Sequence, residues 1–316
     1  MTLQPLTCLA VTMKLSEALK PFKRGNRPVR IRIGHTYPRR VEAGYAADLR
    51  KMVKAISEEV KKSVMPALKK ELQARDFRMD SLIDVPRIPF IDNLVRYDEA
   101  DVGLMTQPDP ERLDGLADVL GIIRRLLSNL FPGQSLAEQY AAATYASNEK
   151  DISKALTTSL GIQVALPGGD TNLLNAWVVE NTSAIEDLQG AYLRRIQRSI
   201  SDGFVKGLRY EEIAKQIQKD TDISWRRAKN IARDQVGTLN AMVTKERNAE
   251  LGVDEFIWRT MRDERVRGNP GGRYPNARPS HYAREGQKYS WKIGANGEFP
   301  GTPILCRCYA ESVIEI

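Results

Sequence analysis

The sequence predicts a mainly α protein: long helices in its amino-terminal and central regions and a small α/β module at its carboxy-terminal end. Three observations lead there. Apolar residues recur three or four positions apart over long stretches. Proline and glycine gather between those stretches. The tail abandons the helical period and collects residue types that are scarce elsewhere, among them His281, Cys306 and Cys308. With 316 residues the chain exceeds what one core usually needs, so several domains are expected. The breaks divide it into a basic arm over 1–40, a helical region over 41–164, a central helical region over 165–252 and the module over 253–316.

The arm holds Arg24, Arg27, Arg30, Arg32, Arg39 and Arg40 among Pro21, Pro28 and Pro38. Such residues neutralise phosphates, with affinity that falls steeply with salt. The alternating run from Val29 to Ile33 also suits a short strand, added to a partner's sheet as readily as laid on DNA. Met13 competes with Met1 as the start.

From Val41 to Arg75 one amphipathic helix is expected, its stripe formed by Tyr45, Leu49, Met52, Val53, Ile56, Val60, Val64, Leu68 and Leu72, with a kink at Pro66. Its lysines are interrupted by Glu58, Glu59 and Glu71, so they read first as a solvated face. Prolines between Asp76 and Asp109 indicate a long connection. A helix over about 110–130 and another from Ser135 follow, the latter with Ser135 and Glu138 at capping-box spacing. Ala165 to Asn172 reads as a hinge.

Beyond it, a helix capped by Ser183 and stopped by Gly207 carries Ile185, Leu188, Tyr192, Ile196 and Ile200. Next come a short helix over Tyr210 to Gln218, a turn capped by Asp222 or Ser224, and a long helix from Trp225 to Glu250 ended by Gly252. In the long helix Ala228, Ile231, Ala232, Leu239 and Met242 are expected to face inward, and Arg226, Arg227, Lys229, Arg233 and Lys245 outward. Helix, turn and basic helix invite a DNA-reading interpretation of 225–250, although two packed helices are a generic arrangement.

Lys and Arg total 48 against 40 Asp and Glu, a net charge of +8 that favours polyanions or acidic partner surfaces. No apolar run approaches the roughly eighteen residues of a membrane span, and no cleavable signal opens the chain, so no membrane partner and synthesis in the cytoplasm are expected. The three cysteines, Cys8, Cys306 and Cys308, lack the pattern of a disulfide framework and suit a reducing compartment.

In the module, His281 with Cys306 and Cys308 offers three soft ligands for a structural zinc, with Asp263 or water as the fourth. The commoner arrangement is two buried thiols beside a hydrogen-bonded histidine, with no cofactor. Asp263, Arg265, Arg267 and Arg307 read as an ion-pair network locking a turn, since Arg and Asp form bidentate bonds that fix loops. The stretch Gly268 to Ser280 lacks the GK[ST] ending of a phosphate loop and reads as a flexible surface loop.

From Trp177 to Ile316 the chain resembles the minor head proteins of tailed phages typified by phage Mu protein F. The resemblance rests on YEEIAKQI, SWRRAKNIARDQ, Gly252 to Trp258, Asp263 to Arg267, His281, Gly286, Pro300-Gly301 and the CRC ending. Two departures stand out: Arg233-Asp234-Gln235 replaces the usual Arg-Thr-Glu, and 268–280 is an insertion. The resemblance implies a structural, non-enzymatic protein of the virion. It would be made in the host cytoplasm, bind the portal or the major capsid protein from inside during head assembly, and touch packaged double-stranded DNA without reading its sequence. Two alternatives belong to other classes: a metal-dependent nuclease or hydrolase using Asp263, His281, Cys306 and Cys308, and a DNA-binding protein using the 225–250 helix.

Overall fold

The computed structural model describes residues 8–10, 15, 20, 30–34, 37–80, 121, 124–125, 128–129, 131–160, 163–166 and 171–315. Most of the expected helix over 110–130, most of the 76–109 connection and the centre of the 165–172 hinge lie outside the described residues, as do Arg24 and Arg27. The chain is mainly α, as the periodicity predicts. Its elements are β1 (Cys8–Ala10), β2 (Arg30–Gly34), α1 (Arg39–Glu59), a π-helical turn (Val60–Val64), α2 (Met65–Asp80), α3 (Gly133–Leu160), β3 (Gln163–Ala165), α4 (Thr171–Val205), α5 (Tyr210–Glu250), β4 (Glu255–Arg259), β5 (Lys288–Ser290) and β6 (Tyr309–Glu315).

The expected helix around Pro66 is continuous but wound differently there. Proline has no N–H for the Lys62 carbonyl, and its ring crowds that oxygen. The chain widens by one residue before it, and the Met65 N–H bonds back to the Val60 carbonyl.

Two helix starts differ from expectation for one reason. A serine or threonine hydroxyl can bond the carbonyl one turn back instead of capping. Ser183 Oγ donates to the Val179 carbonyl at 3.2 Å, so α4 runs through it from Thr171. Thr221 Oγ1 and Ser224 Oγ donate to the carbonyls of Ile217 and Asp220, so the expected turn is absent and α5 spans 41 residues unbroken. A helix–turn–helix reading of 225–250 loses its turn. Ser135 likewise lies inside α3, which begins at Gly133. The helix stops hold: Gly207 and Gly252 adopt φ of 67° and 66°, and the next N–H in each case reaches the carbonyl five residues back, closing Schellman caps.

The chain forms two compact units, and α1, α4 and α5 each contribute one end to each. One comprises Lys51–Pro132 and Asp187–Trp225. Its apolar stripes bury Met52, Ile56, Val60, Val64 and Leu68, then Leu188, Tyr192, Ile196 and Ile200, then Ile213 and Ile217. Tyr192 and Thr221 hydroxyls meet at 2.6 Å, and Ser199 donates to Asp220 at 2.6 Å, so the polar groups buried there are paired.

The other unit comprises Met1–Arg50, Gly133–Glu186 and Arg226–Ile316. In it Tyr45 stacks on Tyr140 with ring centroids 4.5 Å apart and donates to Asn181 Oδ1, while Trp177 Nε1 donates to the Gln235 carbonyl. Ala228, Ala232 and Leu239 are buried as expected, but Met242 is 37% exposed and Val243 takes the buried place. Asn148 on α3 joins Asn240, Thr244 and Arg247 of α5, placing the Arg247 guanidinium in the interior with Glu149 3.5 Å away and the Tyr145 ring beneath it.

A four-stranded antiparallel sheet in order β2-β6-β4-β5 completes this unit, beside a parallel β1–β3 pair. The amino-terminal strand thus pairs with β6 of its own chain, from Arg30 opposite Glu315 to Gly34 opposite Glu311, rather than with a partner's sheet. In β4 Phe256, Ile257 and Trp258 are all buried, the pattern of a strand covered on both faces. One apolar cluster joins Leu15, Ile33, Ile152, Leu156, Leu251, Val253 and Ile314; another joins Phe256, Trp258, Trp291, Ala295, Cys306, Cys308 and Ala310. The second cluster carries the site.

Candidate functional site

Two segments converge on the second cluster: the loop between β4 and β5, and the turn leading into β6. In the turn the Cys306 N–H bonds the Pro303 carbonyl, and Leu305 is held at φ 54° with its N–H on Asp234 Oδ1 of α5, 2.6 Å away. Cys306 and Cys308 then point one way and Arg307 the other. His281 lies just before a 3-10 turn (Tyr282–Arg284), anchored by the Tyr282 N–H on the Arg267 carbonyl. Its ring is 1% exposed, with Nδ1 3.4 Å from Cys306 Sγ and 3.6 Å from Cys308 Sγ. The three donor atoms lie within 4.8 Å of one another.

The surroundings orient the imidazole. Trp258 meets it edge-on, with ring centroids 5.3 Å apart. His281 Nε2 is buried without a hydrogen-bond partner among the described residues and lies 3.8 Å from Glu298 Oε2. Glu298 is in turn fixed by Arg284, at 2.5 Å, whose guanidinium sits over Trp258. Hydrogen bonds from Cys308 and then His281 hold the Cys306 thiol well below its ordinary pKa despite burial, while the neighbouring Cys306 and burial push Cys308 up. A cavity of about 30 Å³ opens beside the triad, lined by Arg265, Arg267 and Arg307 as well as the three residues themselves.

Asp263 stands apart from the triad. Both its oxygens are taken by the Arg307 guanidinium, and Oδ1 also accepts the Arg265 N–H at 3.0 Å. Arg267 uses its guanidinium on the Ile304 carbonyl at 2.7 Å. These contacts tie the turn after β4 to the segment before β6. The insertion is also held: Asn269 donates to the Asp263 carbonyl, the Arg273 N–H to the Glu264 carbonyl, and Arg273 pairs with Glu264. An exposed loop read as flexible is cross-bonded because Asn and Gly close local turns.

Burial alone would raise Asp263 and Glu285. Bonds from Arg307 and the Arg265 N–H outweigh it at Asp263, and bonds from the Thr260 N–H and hydroxyl and Arg262 outweigh it at Glu285, so both carboxyls titrate below their ordinary values. A depressed folded pKa gives stability that is present above the unfolded values near 4 and is lost as pH falls through the folded ones. Acidification from about pH 5 to about pH 3 should therefore loosen the module, read as a red shift of tryptophan emission, and Asp263→Asn should flatten the profile. An unchanged spectrum across that range would contradict the network.

The basic residues of the arm divide. Arg30 and Arg32 belong to the edge strand β2, and Arg32 is exposed, a placement that also discourages edge-to-edge pairing. Arg39 and Arg40 are exposed in the first turn of α1, where positive charge opposes the helix dipole by roughly 0.3–1 kcal/mol each. Arg39 lines a cavity of about 480 Å³ with Arg50, Lys229, Arg233 and Arg307 against one acid, Glu42. Sequence reasoning singled out the triad by its residue types. It missed the roles of Arg284, Glu298 and Asp234, ordinary charged residues whose only signal is position.

With this geometry described, the comparisons can be placed on it. The family model described as Phage Mu protein F like protein matches residues 194–311, which run from within α4 to β6 and include His281, Cys306 and Cys308. An uncharacterized protein of Haemophilus influenzae is 27% identical over 187 residues, 58% of this chain and 39% of the relative, so the match spans well under half of that protein. No solved structure matches the chain.

Proposed function

We propose that this chain is a structural head-morphogenesis protein of a tailed phage, one that docks on the portal or the inner face of the shell and touches packaged DNA through phosphates alone. The observation that carries the proposal is the family match over 194–311, which spans α5 and most of the module as one stretch. Long helices supply extended docking faces, and no helix among the described residues is long and apolar enough to cross a membrane. The cationic cavity at Arg39, Arg50, Lys229 and Arg233 favours a polyanion, and placing Arg39 and Arg40 against the helix dipole is better explained by such a partner than by helix stability.

The test uses the full chain. It should co-purify with the portal or major capsid protein and be present in procapsids or virions. Its binding to duplex DNA should show no sequence preference, and replacing Arg39 and Arg40 by alanine should reduce the salt dependence of binding by roughly one unit of log–log slope per lost phosphate contact. Absence from both procapsids and virions would overturn the proposal. So would metal-dependent DNA cleavage that disappears in His281→Ala.

A further inference from the structure

We infer that His281, Cys306 and Cys308 form a zinc site that staples the loop between β4 and β5 to the start of β6, with one water as the fourth ligand. The distances fit. In a tetrahedral site with Zn–S of about 2.3 Å and Zn–N of about 2.0–2.1 Å, sulfur and nitrogen ligands stand roughly 3.6 Å apart. Here they are 3.4 and 3.6 Å apart, and all three donor atoms lie within 4.8 Å of one another. Two sulfurs and an imidazole nitrogen form a soft donor set, which favours zinc over the oxygen-seeking cations.

A second, independent observation concerns the far side of the ring. A metal-bound histidine usually directs its other N–H at a carboxylate or carbonyl. His281 Nε2 is buried, finds no hydrogen bond among the described residues, and lies 3.8 Å from Glu298 Oε2. With the proton on Nε2 and drawn toward Glu298, the Nδ1 lone pair faces the two sulfurs. Arg284 holds Glu298 in place for this.

The space beside the triad decides the fourth ligand and the role. A cavity of about 30 Å³ holds a single water and excludes an organic substrate. Asp263 is not available, because Arg307 occupies both its oxygens. The site is therefore structural. It cross-links residues 25 and 27 positions apart in sequence at a module whose central cluster is small.

The site is independent of the head-protein reading, because metal content is measured on the purified chain alone. The full chain, purified in reductant without chelator, should carry about one zinc, and Cys306→Ser, Cys308→Ser and His281→Gln should each bring that near zero. Because those variants risk misfolding, the wild-type chain loaded with Co²⁺ in place of zinc supplies a second readout: thiolate-to-cobalt charge-transfer absorption in the near ultraviolet. Chelator should lower the Tm of the wild-type chain and leave that of the cysteine variants unmoved. Zinc well below one per chain together with no cobalt charge-transfer band would overturn the inference, and so would a mass two hydrogens short that peptide mapping assigns to a Cys306–Cys308 disulfide.

Discussion

Trp258→Ala should destabilise the carboxy-terminal module by about 3–5 kcal/mol, the range for emptying a fully buried aromatic site. The indole is 0% exposed on β4, edge-on to His281 and Tyr289, and beneath the Arg284 guanidinium. Its removal opens a cavity and also strips the wall that orients His281. Whole domains are stable by only about 5–15 kcal/mol, so a loss of this size should shift the urea midpoint of the module's transition markedly. Trp258→Phe keeps an aromatic ring and should cost less. A change below about 1 kcal/mol for the alanine variant would mean the cluster collapses around the gap, contrary to the packing described here.

Asn148→Leu should cost about 3 kcal/mol, because it strands a charge rather than because it removes one hydrogen bond. Asn148 Oδ1 accepts from Arg247 Nη1 at 3.2 Å, and its Nδ2 donates to Asn240 Oδ1 and Thr244 Oγ1. Among the described residues, leucine leaves the guanidinium, 1% exposed, with Glu149 and the Tyr145 face as its remaining company. Replacing Arg247 by methionine in the same chain should recover much of the loss, since an apolar pair of similar volume has no desolvation penalty. A double-mutant cycle by thermal or urea unfolding reads this coupling directly. Strictly additive losses would show that the two side chains do not act together.

The helical stripes were legible because burial at every third or fourth position leaves a local trace. Tyr45, Leu49, Met52 and Ile56 are all 0% exposed on the expected face. Helix ends were less legible where they hung on hydroxyls, since a serine that caps and a serine that bonds back one turn look the same in sequence. Ser183 and Ser224 both bond back. Pro66 marked an irregularity in the helix, but the widened turn that precedes it was not readable, because that depends on which carbonyl the Met65 N–H selects. Pairing of β2 with β6 left no local trace at all. Alternation marks a strand without saying whose edge it joins, and Arg32 suits DNA as well as an exposed edge. Around the triad, histidine and cysteine stand out by rarity, whereas Glu298, Arg284 and Asp234 are three charged residues among many.

The place of β6 in the sheet carries a consequence for biosynthesis. It lies between β2 and β4, and it follows both in the chain: its partner residues in β2 leave the ribosome roughly 280 residues earlier. Until β6 emerges, β2 and β4 lack the strand that joins their facing sides, and the nascent polypeptide carries two bare hydrogen-bonding edges. Completion of the sheet thus waits for β6, and the interval before it is when a chaperone would meet the sheet half-finished.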